Sequence, residues 1–199
     1  MSKARIRTHT NPFNFHEKLD PVDFNKIFKK NTGKFDLEIG FGKGVFLRHW
    51  ATLKPQDNVI GVEVRKGIVD FVRKRTTEQE NIHLIHYSGE RVLEDIIPDT
   101  SLENVFIFHP DPWLKKGHHK RRFVRPDNLN LIIKKLSPGG KIYVSTDVES
   151  LWESMTETLE ESSLKEVEDT HFWDEVYTSH WDKFSIEDKR TRQFGTWEK

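Results

Sequence analysis

Five short apolar runs, KFDLEIG, NVIGVEV, IHLIHY, ENVFIFH and KIYVSTD, recur between residues 34 and 147, and amphipathic stretches separate them. A strand that must pair in parallel with the next needs a long crossover connection, and a helix is the usual one. The repetition therefore constrains the chain to an α/β fold with a mostly parallel central sheet and helices on both faces. The helical stretches are marked by spacing and punctuation. Asp20 and Pro21 in DPVDFNKIFKK read as N-cap and first helical position, with Phe24, Ile27 and Phe28 on one face. Phe46, Leu47, Trp50 and Ala51 follow Gly44 at three-and-four spacing, and Ile68, Val69, Phe71 and Val72 cluster in RKGIVDFVRKRTTEQE. Leu129, Ile132, Ile133 and Leu136 place a helix over 127–136, SPGG reads as a tight turn, and Leu151, Trp152, Met155 and Leu159 mark one more helix.

The 199 residues suffice for one sizeable core, so a single domain over 1–199 is expected, with residues 1–19 a flexible basic arm. Without cysteine the chain has no disulfide, thiolate metal site or Cys nucleophile. No apolar run approaches membrane-spanning length and MSKARIRTHT lacks the apolar core of a secretory signal, so a cytoplasmic location away from membranes is expected.

Net charge is zero, with 32 basic and 32 acidic residues, but the two signs are segregated. Residues 115–125 hold six Lys/Arg and no acid, whereas 149–175 hold ten acids and one Lys. Such a chain can turn a positive face to a polyanion and stay neutral as a whole. For any one charge run, a solvated surface is the simpler reading.

In doubly wound folds ligands sit beyond the carboxyl ends of the strands. Four acids fall there: Glu38 within ExGxGxG (Glu38, Gly40, Gly42, Gly44), Glu63 after the second strand, Asp111 after the fourth and Asp147 after the fifth. A glycine turn lets backbone approach a ligand, the helix after it offers free N–H groups, and an acid at Glu63 is placed for the hydroxyls of a ribose. A nucleoside-bearing cofactor satisfies both features. The glycine spacing is not the GxGxxG of dinucleotide enzymes, which argues against a nicotinamide-dependent oxidoreductase.

The ExGxGxG run resembles the first motif of class I S-adenosylmethionine-dependent methyltransferases, which implies a Rossmann-like fold. LEIGFGKG, GVEV, IPDTSL, FHPDPWLKKGHHKRR and LSPGGKIYVSTD together resemble the tRNA (guanine-N7)-methyltransferase family, in order, from about Lys34 to Asp147. The resemblance implies that S-adenosyl-L-methionine is the cofactor and tRNA the partner, the target being the variable-loop guanosine at position 46. By the same likeness Asp111 is catalytic and close to the cofactor, Glu38, Gly40, Gly42, Gly44 and Glu63 hold the cofactor, and Lys115 and Asp147 contact the substrate. Ser88 stands where the family has a cofactor-contacting acid, so its hydroxyl, or Glu90, takes that place. Ser179, His180, Trp181 and Asp182 stand where the family has Thr-x-Phe-Glu, which assigns Ser179 and Asp182 to the substrate; KFSIEDKRTRQ replaces the glycines that follow.

The basic strip gives Arg121 and Arg122 as phosphate contacts. Trp113 is either a base-stacking residue or a core residue under the loop. His109 reads as a strand-end residue without a catalytic role. His109, Asp111, His118 and His119 could in principle ligate a metal, but His among so many cations suits phosphate better, and no metal is expected. Two other classes remain open: an adenine-N6 type amino methyltransferase, for which PDPW is one proline short, and an inactive RNA-binding protein of the same fold. Oligomeric state is not legible.

Overall fold

The computed structural model describes residue 11 and residues 14–199. Seven strands form one sheet in the order β3-β2-β1-β4-β5-β7-β6. They are β1 (Phe35–Ile39), β2 (Asn58–Val62), β3 (Ile82–Ile85), β4 (Leu102–Phe108), β5 (Leu136–Thr146), β6 (Lys165–Val167) and β7 (Gln193–Glu198). The pairs β1–β2, β2–β3, β1–β4 and β4–β5 are parallel, and β7 runs antiparallel to both β5 and β6. The sequence direction reverses between β1 and β4, so the crevice beyond their carboxyl ends is the topological switch point.

The helices are α1 (Phe24–Ile27), α2 (Val45–Leu53), α3 (Lys66–Arg73), α4 (Gly89–Asp95), α5 (Pro126–Lys135), α6 (Glu149–Glu160) and α7 (His180–Glu187). Side chains alternate across the strands because successive Cβ atoms point to opposite faces. Leu37, Ile60, Val105, Ile107, Ile142 and Val144 pack with α4, α5 and α6 on one face. Val59, Phe106, Phe108 and Tyr143 pack on the other with Phe46, Leu47 and Trp50 of α2, with Val69 and Val72 of α3, and with Phe172. The second core is largely aromatic; Phe172 stacks on Phe106 at 5.8 Å and lies 4.0 Å from the Tyr143 ring.

Several boundaries differ from the sequence reading. α1 begins later than Pro21, because Asp23 supplies the cap by accepting the Asn25 N–H at 3.1 Å. α3 is shorter than its charged tail suggested, and Leu136 leaves α5 to open β5. SPGG is the irregular start of β5 rather than a turn: Gly139 N–H donates to the Lys199 carbonyl at 3.1 Å and Gly140 O accepts from Lys199 N–H at 3.0 Å. α4, α7, β6 and β7 had no sequence-based counterpart. Of the expected basic arm, residues 1–10, 12 and 13 lie outside the described residues. Phe15 packs edge-on against Tyr87 at 4.8 Å, and Leu19 N–H donates to Asp95 at 3.0 Å. Among the described residues no helix is long and apolar enough to cross a membrane.

Candidate active site

Gly40, Gly42 and Gly44 all take positive φ, 77°, 52° and 66°, a backbone path that L side chains resist. A Cβ on Gly40 would meet nothing within 4 Å, so the turn opens onto free space, whereas one on Gly44 would strike Val72 at 2.7 Å. The first part of the motif thus leaves room above the turn, and its last glycine lets α2 pack on α3. Gly40 N–H donates to Val62 O at 2.7 Å, which ties the turn to the end of β2.

Glu38 lies under this turn, 4% exposed. Burial, the nearby Glu63 carboxylate and a partly compensating Leu47 N–H bring its pKa to about 8. Its Oε2 is buried without a hydrogen-bond partner among the described residues. An orphaned carboxylate oxygen calls for a donor, and a cationic ligand would supply one. Glu63, just past β2, accepts from Gly42 N–H at 3.2 Å and from Arg65 through N–H, Nε and Nη2, at 3.1, 2.9 and 2.6 Å. The hydrogen bonds and charge of Glu63, and more weakly the charge of Asp111, hold the Arg65 pKa above its usual value. Two carboxylates below an open glycine turn suit a ligand bearing a cation and a vicinal diol.

Asp111 is exposed on the loop after β4, between His109 and Trp113, whose φ values of 46° and 43° are both left-handed. Neither neighbour is glycine, so the loop carries strain that its surroundings must hold. His109 N–H donates to Ser145 O at 2.8 Å, and its ring lies between Asp147 Oδ1 at 3.4 Å and the Tyr177 hydroxyl at 3.2 Å. Burial lowers the His109 pKa despite Asp147 beside it. Asp147 also accepts from Ser185 Oγ at 3.0 Å and Arg190 Nη1 at 2.9 Å. Burial alone would raise its pKa, but these hydrogen bonds and His109 outweigh it and hold the carboxyl below its usual value.

The other sequence-derived positions divide. Ser88, 4% exposed, caps α4 at the same edge of the sheet, accepting from Arg91 N–H at 3.4 Å. Glu90, the alternative there, is paired with Arg125 at 2.8 Å. Ser179 caps α7, and Asp182 is buried in an ion pair with Arg192 at 3.1 Å. Lys115 is exposed, and Arg121 lies 5.0 Å over the Trp113 ring. Trp113 is half-buried, with His118 edge-on at 5.9 Å, so it is neither a fully covered core residue nor an open platform.

Arg122 is a correction. It is 4% exposed and its guanidinium donates to Pro112 O and Ser150 O, both at 3.0 Å, so it ties the loop to the start of α6 instead of facing a phosphate. Sequence reasoning also missed Arg65, Tyr177, Arg190 and Arg192. Acids at buried strand ends need cationic partners, and that requirement pointed to Arg65 two residues past Glu63 and to the arginines of KFSIEDKRTRQ. A separate polar cleft at the opposite edge of the sheet, lined by Trp50, Lys54, Asn104 and Lys141 among others, contains none of these groups.

A family model described as "Putative methyltransferase" matches residues 33–196, from just before β1 into β7. A tRNA (guanine-N(7)-)-methyltransferase of Thermosynechococcus vestitus is 32% identical over 158 residues, covering 77% of this chain and 74% of that protein. The chain belongs to the tRNA (guanine-N7)-methyltransferase family. Another member, from Cupriavidus pinatubonensis, is 39% identical over 141 residues, 70% of this chain and 55% of the relative. The chain thus spans little more than half the length of that curated relative. Among solved structures, the 16S rRNA methyltransferase KamB superposes with a TM-score of 0.63 at 13% identity, covering 92% of this chain and 94% of that one. At that identity the likeness speaks for the fold, which is the class I methyltransferase architecture expected from ExGxGxG.

Proposed function

We propose that this protein transfers a methyl group from S-adenosyl-L-methionine to guanine N7 in tRNA. The observation that carries the reading is the position of Asp111, exposed on the loop that follows β4 at the switch point, across from the open glycine turn after β1 where Arg65 grips Glu63. The residues fit the cofactor: Gly40 and Gly42 leave room for it, Glu38 offers an unmatched buried acceptor to a cationic group, and Glu63 offers acceptors to a ribose diol. Ser88 stands at the same edge, its hydroxyl capping α4. When bound, the cofactor supplies a methyl carbon made electrophilic by the sulfonium it leaves.

Guanine N7 carries a lone pair and no proton, so no base is needed to unmask it. The protein's task is alignment, which can supply roughly 7–11 kcal/mol. Asp111 accepts from the guanine N1–H and N2–H edge, fixes the base, and opposes the positive charge that grows on the ring. Asp147, held by His109, Ser185 and Arg190, and the capped start of α7 at Ser179 and Asp182 form the wall on the β5 side. Lys115 and Arg121 contact the RNA backbone, which supplies affinity without reading sequence. The variable-loop guanosine at position 46 is the target by family likeness.

Incubation with labelled methyl donor and unfractionated tRNA, followed by nucleoside analysis, tests the assignment. N7-methylguanosine is the expected product. N6-methyladenosine would place the chain among amino methyltransferases, and no labelled nucleoside would leave it an RNA-binding protein of the same fold.

A further inference from the structure

α7 is amphipathic in the reverse sense. Its buried positions are polar, with Ser179 at 8%, Asp182 at 6% and Ser185 at 1% exposure, three residues apart on one face. Its large apolar side chains face outward: Trp181 is 54% exposed, Phe184 41% and Ile186 54%. A helix that only closed the fold would bury the rings and solvate the hydroxyls. Here the polar face is fixed by Asp182–Arg192 and Ser185–Asp147, so the rings stand on a braced support.

The support stands at the reaction rim. Ser185 Oγ donates to Asp147 at 3.0 Å, and the Tyr177 hydroxyl links Ser179, at the start of α7, to His109 just past β4, at 3.3 and 3.2 Å. Trp181 and Phe184 have centroids 5.9 Å apart with planes at 50°, too splayed to stack on each other. His180 closes one side of Phe184 edge-on at 4.9 Å. Two separate aromatic surfaces, with the exposed Lys183 on the same helix and His180 at its start close enough to the exposed Lys43 to feel its charge, match a ligand that is both aromatic and anionic.

We propose that Trp181 and Phe184 are stacking platforms for unpaired bases of the RNA substrate beside the target guanine. Every base has a π-face, so stacking holds a single strand without reading its sequence, while Lys43 and Lys183 meet its phosphates. A protein partner fits less well, because lysine is depleted in the cores of protein interfaces. This inference rests on the RNA substrate proposed above.

The test measures binding of three labelled RNAs, bulk tRNA, a 12-nucleotide oligoadenylate and a blunt duplex, to the wild type, Trp181→Ala/Phe184→Ala and Trp181→Tyr. Removing both platforms should weaken oligoadenylate and tRNA binding by at least roughly fivefold, each lost ring contributing roughly fivefold to 150-fold. Duplex affinity, thermal midpoint and salt slope should not change, since no charge is removed, and Trp181→Tyr should retain most of the affinity. Unchanged oligoadenylate binding, or an equal loss for the duplex, would overturn the proposal. So would a wild-type dimer that the double variant dissociates without weakening RNA binding. Methylation of tRNA by the wild type is scored separately: no N7-methylguanosine with the oligoadenylate loss intact sinks the proposed activity but not the platform.

Discussion

The guanidinium of Arg65 lies across the carboxylate of Glu63, with Nη2–Oε2 at 2.6 Å and Nε–Oε1 at 2.9 Å, and so occupies the acceptors that a ribose diol would use. Glu63 is 3% exposed, and a buried carboxylate stripped of its partner costs about 1–3 kcal/mol or more. If Glu63 is the ribose acceptor proposed above, Arg65 stands in for the ligand until the ligand arrives. Arg65→Ala should lower the thermal midpoint of the ligand-free protein, and added methyl donor should restore more of it than in the wild type. Calorimetry should find donor affinity unchanged or tighter. A tenfold weaker donor complex would mean that Arg65 contacts the donor directly.

The Glu38 contribution to stability should fall as pH rises from about 4.5 to about 8, because folded Glu38 keeps its proton over that interval while the unfolded chain has lost it; His83, His109 and His180, whose folded pKa values burial lowers, act in the opposite sense below 6.5. Asp36, raised by burial to about 6 against hydrogen bonds from Trp50 and Asn104, contributes the same sign at the lower end. One group differing in protonation contributes at most about 1.4 kcal/mol per pH unit. Glu38→Gln should remove the Glu38 fall between pH 6 and 8 and leave the Asp36 contribution below pH 6. Donor binding near neutral pH should release a proton from Glu38, seen as a dependence of binding heat on buffer ionisation enthalpy that Glu38→Gln removes. A slope that Glu38→Gln leaves intact between pH 6 and 8 would clear Glu38 of this role.

Adjacent arginines should behave oppositely. Arg121, on the outer side of the loop over Trp113, should on change to Ala reduce both tRNA affinity and the salt exponent, the latter by roughly 0.7–0.9 for each phosphate left without its cation. Arg122 donates to two main-chain carbonyls, and Arg122→Ala should cost about 1–3 kcal/mol of stability by leaving them unpaired. Denaturation and salt-titrated binding of each variant separate the two effects. A flattened salt slope for Arg122→Ala, with stability unchanged, would return that residue to the RNA face.

The same pair shows what sequence can and cannot tell. A run such as HHKRR announces positive charge, but which guanidinium turns inward depends on where Pro112 O and Ser150 O fall in space. β1 to β5 were legible because each is an apolar run ending near a glycine or acid, and the site acids were legible because they follow those runs. α4, GERVLED, has four charges in seven residues and little periodicity to read. β7, QFGTWE, contains a mid-strand glycine that only packing explains, since a Cβ at Gly195 would meet the Trp197 ring at 2.8 Å. SPGG has turn chemistry, yet its hydrogen bonds go to Lys199, a partner that local sequence cannot announce.

Asp111 offers the sharpest division between binding and chemistry. It is exposed on a strained loop whose ends are fixed by His109 N–H to Ser145 O and by Arg122 to Pro112 O, so replacing its side chain leaves the core packing intact. Hydrogen bonds to a charged acceptor contribute about 1.5–3 kcal/mol each, and the guanine edge would make two. Asp111→Ala should therefore lower kcat/KM by roughly 100-fold or more, with the donor dissociation constant within about threefold of wild type. Asp111→Asn, which keeps the shape but brings an amide N–H toward the guanine donors, should recover little. Kinetics at subsaturating tRNA, read beside calorimetric donor titrations, give both quantities. Parallel loss of turnover and donor affinity would make Asp111 a donor-binding residue and leave the guanine to be oriented by another group, with Asp147 the nearest candidate on the neighbouring strand end.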